Sequence, residues 1–160
     1  MRKKKIIKGH PVKPDRKFSS PIVGKLINKV MKRGEKRKAT QIVYQAAEIV
    51  EKKTSAAFLT ILEKALGNIK PAIEMKRRSG LKGRFPKAID EVRSMKIALR
   101  WLVESAKTKK TPYRMYEKLA EEINSAYNKS GEAFKKKETL YKEAESSGLF
   151  TPNFEPPKKN

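Results

Sequence analysis

From residue 20 onward, apolar residues recur every three or four positions, the spacing of helices that each bury one face. Ser20-Pro21 reads as an N-cap followed by proline at the first helical position. Ile22, Leu26, Ile27, Val30 and Met31 then form one stripe, which Gly34 ends. A second stripe runs through Ala39, Ile42, Val43, Ala46, Ala47 and Val50. A third, Phe58, Ile61, Leu62, Ala65, Leu66 and Ile69, takes Thr54-Ser55 as its cap and stops at Pro71. Asp90 opens a fourth, through Met95, Ala98, Leu99, Leu102, Val103 and Ala106. Thr111-Pro112 caps a fifth, Tyr116, Leu119, Ala120, Ile123 and Tyr127. Ser130 or Gly131 opens a weaker sixth, Phe134, Tyr141 and Ala144, with Lys135, Lys136 and Lys137 on its polar face and Gly148 at its end. The tail TPNFEPPKKN is too rich in proline to continue it.

The segment 72–89 breaks this rhythm. Ala72-Ile73-Glu74-Met75-Lys76 alternates weakly, Gly80 and Gly83 interrupt the chain, and Phe85-Pro86-Lys87-Ala88-Ile89 follows. Two short extended runs about a glycine-bearing turn predict a β-hairpin, and Pro86 is tolerated because both strands of a ribbon are edges. Such a ribbon is marginal alone, so it is expected to project from the body and to order fully against a partner. The stripes need one another for burial. The fold class is therefore mainly α, a bundle-like domain of about six helices. It spans 19–148, with the hairpin arm inserted, an extended basic arm at 1–18 and a C-terminal tail at 149–160.

The 160 residues are 38% apolar, enough for one core without staples. Forty Lys and Arg face 17 Asp and Glu, a net charge of +23. Such an excess repels itself unless a polyanion neutralises it. Nucleic acid is the first candidate and an anionic membrane the second, although the apolar stripes look committed to a core. No apolar run approaches the ~20 residues of a membrane span. The start, MRKKKIIKGHPVKP, holds only Ile6 and Ile7 between cations and does not make a secretory signal, and Pro11 and Pro14 oppose a helical presequence. Cysteine is absent, which removes disulfides and thiolate chemistry. His10 is the single histidine and has no metal-ligating company. Of the adjacent carboxylates, Asp90-Glu91 suits a helix N-terminus, and Glu121-Glu122 is expected to be solvated on a polar face. No phosphate-binding glycine motif occurs. No enzyme, cofactor or metal is expected.

What remains is the placement of charge. The arm carries Arg2, Lys3, Lys4, Lys5, Lys8, Lys13, Arg16 and Lys17 against a single acid, Asp15. Lys32 and Arg33 with Lys36, Arg37 and Lys38 mark the first helix junction. The hairpin stretch KRRSGLKGRFPK (76–87) contributes Lys76, Arg77, Arg78 and Arg84. Arg93, Lys96 and Arg100 share one helix face directly after it, with few acids nearby in sequence to pair with them. Lys107, Lys109 and Lys110 close the group. Trp101 packs in the core, stacks on a base or sits between the two, with the core favoured by its neighbour Leu102; Tyr113, Tyr116 and Tyr127 read as core at near-helical spacing. Recognition would rest on phosphates, backbone shape and an inserted ribbon.

Several segments together resemble the bacterial-type seventh protein of the small ribosomal subunit. They are DRKFSSPIVGKLINKVMKRGEKRKA (15–39), IVYQAAE (42–48), ALGNIKPAIEMKRR (65–78), ALRWLVESAK (98–107), YRMYEKLAEEI and GEAFKKKE (131–138). The resemblance implies a helical domain with a hairpin arm between its third and fourth helices. It further implies binding to the rRNA of the subunit head early in assembly, contact with the eleventh small-subunit protein, and a position near exit-site tRNA and mRNA, as a monomer within the ribosome. The arm's tip is shorter than the family pattern, with Gly80 and Gly83 in place of an adjacent glycine pair, and Lys82, Gly83 and Arg84 are the residues nearest tRNA and mRNA on this likeness. Glu91-Val92-Arg93 stands where the family more often has Arg-Pro. The chain begins where the family begins, which leaves little room for a cleaved presequence. The preference for lysine leans toward an organelle, mitochondrial matrix or plastid stroma, or a low-GC bacterium. The rival reading from another class is a DNA-architectural protein whose basic ribbon grips a minor groove, with Phe85-Pro86 as the wedge.

Overall fold

The computed structural model describes residues 12–77 and 84–147. The expected arm residues 1–11 with His10, the hairpin tip 78–83 and the tail from 148 lie outside them. Helices α1 (Pro21–Val30), α2 (Lys36–Thr54) and α3 (Phe58–Ile69) lead into an antiparallel ribbon, β1 (Ile73–Arg77) and β2 (Arg84–Ala88). Helices α4 (Glu91–Thr108), α5 (Met115–Tyr127) and α6 (Glu132–Ser146) follow. The expected mainly helical domain with an inserted hairpin is what the chain forms.

Helix α5 packs against α2, α3, α4 and α6. Its buried face is Leu119, Ala120, Ile123 and Ala126, and the alanines let neighbouring helices approach closely. Helix α1 lies on α2 and α4 and buries Val23, Leu26, Ile27 and Val30. Phe58, Ile61, Leu62, Leu66, Leu99 and Leu102 fill the centre. Gly24 sits inside α1 because the incoming chain crosses there. A Cβ on it would stand 2.7 Å from the Lys13 carbonyl oxygen.

Helix starts depart from expectation where the cap comes from another element. Ser20 does cap α1, its hydroxyl accepting from the Ile22 N–H at 3.3 Å. Thr54-Ser55, expected to cap α3, instead closes α2: the Thr54 hydroxyl donates to the Val50 carbonyl, and Ser55 takes the left-handed conformation at φ 51°. The cap of α3 is Glu51, whose Oε1 accepts from the Phe58 N–H at 3.1 Å. Helix α5 starts after Thr111-Pro112, at Met115, and Glu117 accepts from the Arg114 N–H. Helix α6 starts from Gly131 at φ 90°. There the Glu122 carboxylate lies 3.0 Å from where a Cβ would be and accepts from the Ala133 N–H at 2.8 Å. Glu122, expected to be solvated, has no exposed surface. Tyr113, expected in the core, precedes α5 and is 51% exposed, while Tyr116 and Tyr127 pack against the core as expected. Phe134 and Tyr141 of the α6 stripe are only partly buried, and Ala133 joins Ala144 as its buried pair.

Candidate nucleic-acid interface

The turn between α1 and α2 is made for display. Arg33 and Gly34 both have positive φ, at 51° and 77°, and Lys32, Arg33, Lys36, Arg37 and Lys38 are all exposed. Lys38 pairs with Glu35 at 3.0 Å, and among the described residues the other four have no carboxylate in ion-pair range. Lys36, Arg37 and Lys38 occupy the first turn of α2, which contains no acid and has no side-chain cap. Cations oppose the helix dipole at that end, and an anion placed there would be stabilised by the free N–H groups and the lysines together.

The fold joins this turn to the outer face of α4. Lys32 and Lys38 line one groove with Lys107 and Met115. Lys96 lines a second with Val12, Lys25 and Lys29. Lys25 and Lys29 escaped the sequence reading because they are single cations inside an apolar stripe, although their i, i+4 spacing places them on one face. Lys96, Lys107 and Lys110 are exposed and unpaired among the described residues.

The expected open stripe of Arg93, Lys96 and Arg100 is not wholly free. Arg93 makes a bidentate fork to Glu74, both bonds at 2.7 Å, and Arg100 lies 3.8 Å from Glu104. The hydrogen bond from Arg93 holds the Glu74 carboxyl below its usual range, against the opposing pull of burial, and Glu74 raises Arg93 in turn. This fork ties β1 to α4. The ribbon is braced on its other side too: the Ala72 N–H donates to the Tyr141 hydroxyl at 3.1 Å, and Arg84 lies 3.3 Å from Glu143. Ile73 is buried, and Ile73 pairs with Ala88, Met75 with Pro86 and Arg77 with Arg84. The base of the ribbon thus packs on the body, while the tip expected to project lies outside the described residues. Lys76 lies 3.9 Å from Glu74, and Arg77 is exposed and unpaired among the described residues. Arg78, Lys82 and Gly83 lie outside the described residues, as do Arg2, Lys3, Lys4, Lys5 and Lys8.

Where the N-terminal arm meets the body, Asp15 anchors it. Its Oδ2 accepts from the Lys17 and Phe18 N–H groups and from the Tyr44 hydroxyl, and its Oδ1 from the Ser20 N–H. Phe18 inserts between Tyr44 and Phe58. Lys17 pairs at the surface with Glu48, 3.1 Å away, whereas Lys13 and Arg16 are exposed and unpaired among the described residues. Lys109 is drawn inward: its Nζ is 3.1 Å from Glu122 and 3.5 Å from Glu121. Lys137, expected on a polar face, is half-buried and donates to the Asn68 carbonyl; burial lowers its pKa, helped by Lys129. Trp101 is partly buried against the core, and its outer side lines a shallow groove with Lys135, Lys136 and Leu140. It occupies the edge between core and surface.

The geometry therefore offers two cation-lined grooves and, among the described residues, no cluster of acids and histidines able to hold a metal. A family model described as ribosomal protein S7p/S5e matches residues 1–147. The small ribosomal subunit protein uS7 of Treponema denticola is 38% identical over 148 residues, which cover 91% of this chain and 94% of that protein. The protein of the same name from Chloroflexus aggregans is 38% identical over 152 residues, covering 94% and 96%. That from Thermotoga maritima is 43% identical over 141 residues, covering 87% and 90%. These relatives are bacterial and lend no weight to an organelle. Matched by the family model over residues 1–147 and by these relatives over nearly its whole length, the chain belongs to the ribosomal protein S7p/S5e family.

Proposed function

We propose that the chain is a structural, non-enzymatic constituent of the small ribosomal subunit that binds the rRNA of the subunit head and helps to nucleate its assembly. The observation that carries this reading is the set of exposed cations without an ion-pair partner among the described residues, Lys32, Arg33, Lys36 and Arg37 at the α1–α2 turn with Lys96 and Lys107 of α4, on a chain of this family. Phosphates neutralise the cations, and the released counterions drive binding. The body, a single packed set of helices, then fixes the bound rRNA segments relative to one another. Arg77, Arg78 and Arg84 would extend the contact along the ribbon, where a guanidinium takes a phosphate bidentately. Approach to exit-site tRNA and mRNA through Lys82, Gly83 and Arg84, and contact with the eleventh small-subunit protein, follow from the family likeness. The ribosome of a bacterial cytoplasm is the compartment the relatives favour. Nothing in the comparisons favours the DNA-architectural alternative.

The test is a competition between a labelled head-domain rRNA fragment and duplex DNA of equal length, titrated from low to near-physiological salt. Retained preference for the rRNA at the higher salt is expected. Equal binding that collapses with salt would reduce the protein to a charge-driven binder and sink the assembly role.

A further inference from the structure

The loop from Lys109 to Arg114, between α4 and α5, holds an aromatic ring in solvent. Tyr113 and Val92 are the large apolar side chains that the described residues leave exposed, at 51% and 61%. Val92 is aliphatic and cannot stack. Tyr113 can, and its loop is braced rather than loose. Lys109 at the loop's start is pinned by Glu122 and Glu121. Its carbonyl accepts from Lys118 Nζ at 2.8 Å, which ties the start of the loop to α5. At the far end Glu117 accepts from the Arg114 N–H at 2.8 Å. Pro112 fixes φ just before the tyrosine.

The surroundings are cationic. Lys110 and Arg114 are exposed, and among the described residues neither has a carboxylate in ion-pair range. The loop also continues the basic surface. Lys107 and Met115, which bracket it in sequence, both line the groove shared with Lys32 and Lys38. A ring displayed on a loop braced at both ends, between free cations, is the arrangement by which proteins hold unpaired nucleotides: the ring stacks on a base and the cations take the flanking phosphates. We infer that Tyr113, with Lys110 and Arg114, forms a stacking site for an unpaired RNA base at the end of the groove that Lys32, Lys38 and Lys107 line. Duplex RNA offers no free base face there.

The inference rests on the RNA-binding reading, so the experiment separates the two. The full chain is titrated with a labelled oligouridylate and with an RNA duplex carrying the same number of phosphates. Tyr113→Ala is expected to weaken binding of the single strand about five-fold or more. It is expected to leave the duplex affinity and both salt slopes unchanged, since no charge is lost. Tyr113→Phe restores the single-strand affinity. Wild-type affinity in Tyr113→Ala overturns the stacking site, even if the rRNA preference described above holds. Equal losses on both probes with a lower melting temperature would mean a packing defect and overturn it as well. A wild-type chain that shows no preference for rRNA over DNA, yet loses oligouridylate on Tyr113→Ala, would sink the assembly role and keep the site.

Discussion

Glu122 is a carboxylate with no exposed surface, held by one hydrogen bond and one ion pair. Oε1 accepts from the Ala133 N–H at the start of α6, and Oε2 faces Lys109 at 3.1 Å. Removing one member of a buried pair strands the other, at a cost of about 3 kcal/mol. Glu122→Ala is therefore expected to lower the melting temperature by about 6–12 °C. Glu122→Gln, which retains an acceptor for Ala133, is expected to lose less. Equal melting temperatures for wild type and alanine variant would refute the role. Gly24 carries a different constraint. A methyl group there meets the Lys13 carbonyl at 2.7 Å, so the backbone near residue 13 must move away from α1. That movement strains the hydrogen bonds of Asp15 to Lys17, Phe18 and Ser20. Gly24→Ala is predicted to speed tryptic cleavage after Arg16 and Lys17 while leaving the helical circular dichroism nearly unchanged. Wild-type cleavage rates would show that the crossing is not tight.

Among the elements, the helices were legible and some of their beginnings were not. Each apolar stripe became a helix because burial at helical spacing is a local property of the sequence. The start of α1 was legible too, since Ser20 caps from within its own segment. The starts of α3 and α6 are set by Glu51 and Glu122, which lie on the preceding helices. No local rule could select those glutamates among the charged positions of α2 and α5. The ribbon itself was legible as two extended runs about a glycine-bearing turn, whereas its bracing by Arg93, Tyr141 and Glu143 is tertiary and left no local signature. This bracing has a pH dependence. The Glu74 carboxyl is held below its usual value of 4.5, chiefly by the Arg93 fork. A carboxylate with a depressed folded pKa stabilises above its unfolded pKa and loses that contribution as pH falls through the folded value. Acidification from neutral to below 4.5 is thus expected to loosen the ribbon base before the helical body. Amide exchange at Glu74 and Lys87, a hydrogen-bonded pair of the ribbon by its alternation, would report it. In Glu74→Gln that acid-induced step should vanish; a step of undiminished size there would assign it to another group.

At the scale of the molecule, the sequence located the cationic clusters but could not tell which cations are free. Linear charge density is visible in a sequence, and the carboxylate that answers a cation from another helix is not. Lys17 and Lys109 stood among the expected rRNA contacts, yet Glu48 and Glu122 hold them. Lys25 and Lys29 were overlooked and join Lys96 in one groove. Free cations condense phosphates at full effect, because binding releases counterions without breaking an internal pair. Each one lost should therefore flatten the dependence of log K on log salt by about 0.7–0.9. Replacing Lys32, Arg33, Lys36 and Arg37 together with alanine is expected to produce that graded loss on the head-domain rRNA fragment with little change in melting temperature. Lys17→Ala and Lys109→Ala are expected to leave the slope nearly intact, since those charges are already answered within the protein, and Lys109→Ala, whose partner Glu122 is buried, to lower stability as well. Equal flattening by both sets would mean that the internal pairs open on binding. The rRNA would then compete with Glu48 and Glu122 for the same lysines, and the anchoring of the N-terminal segment and of α6 would change on assembly.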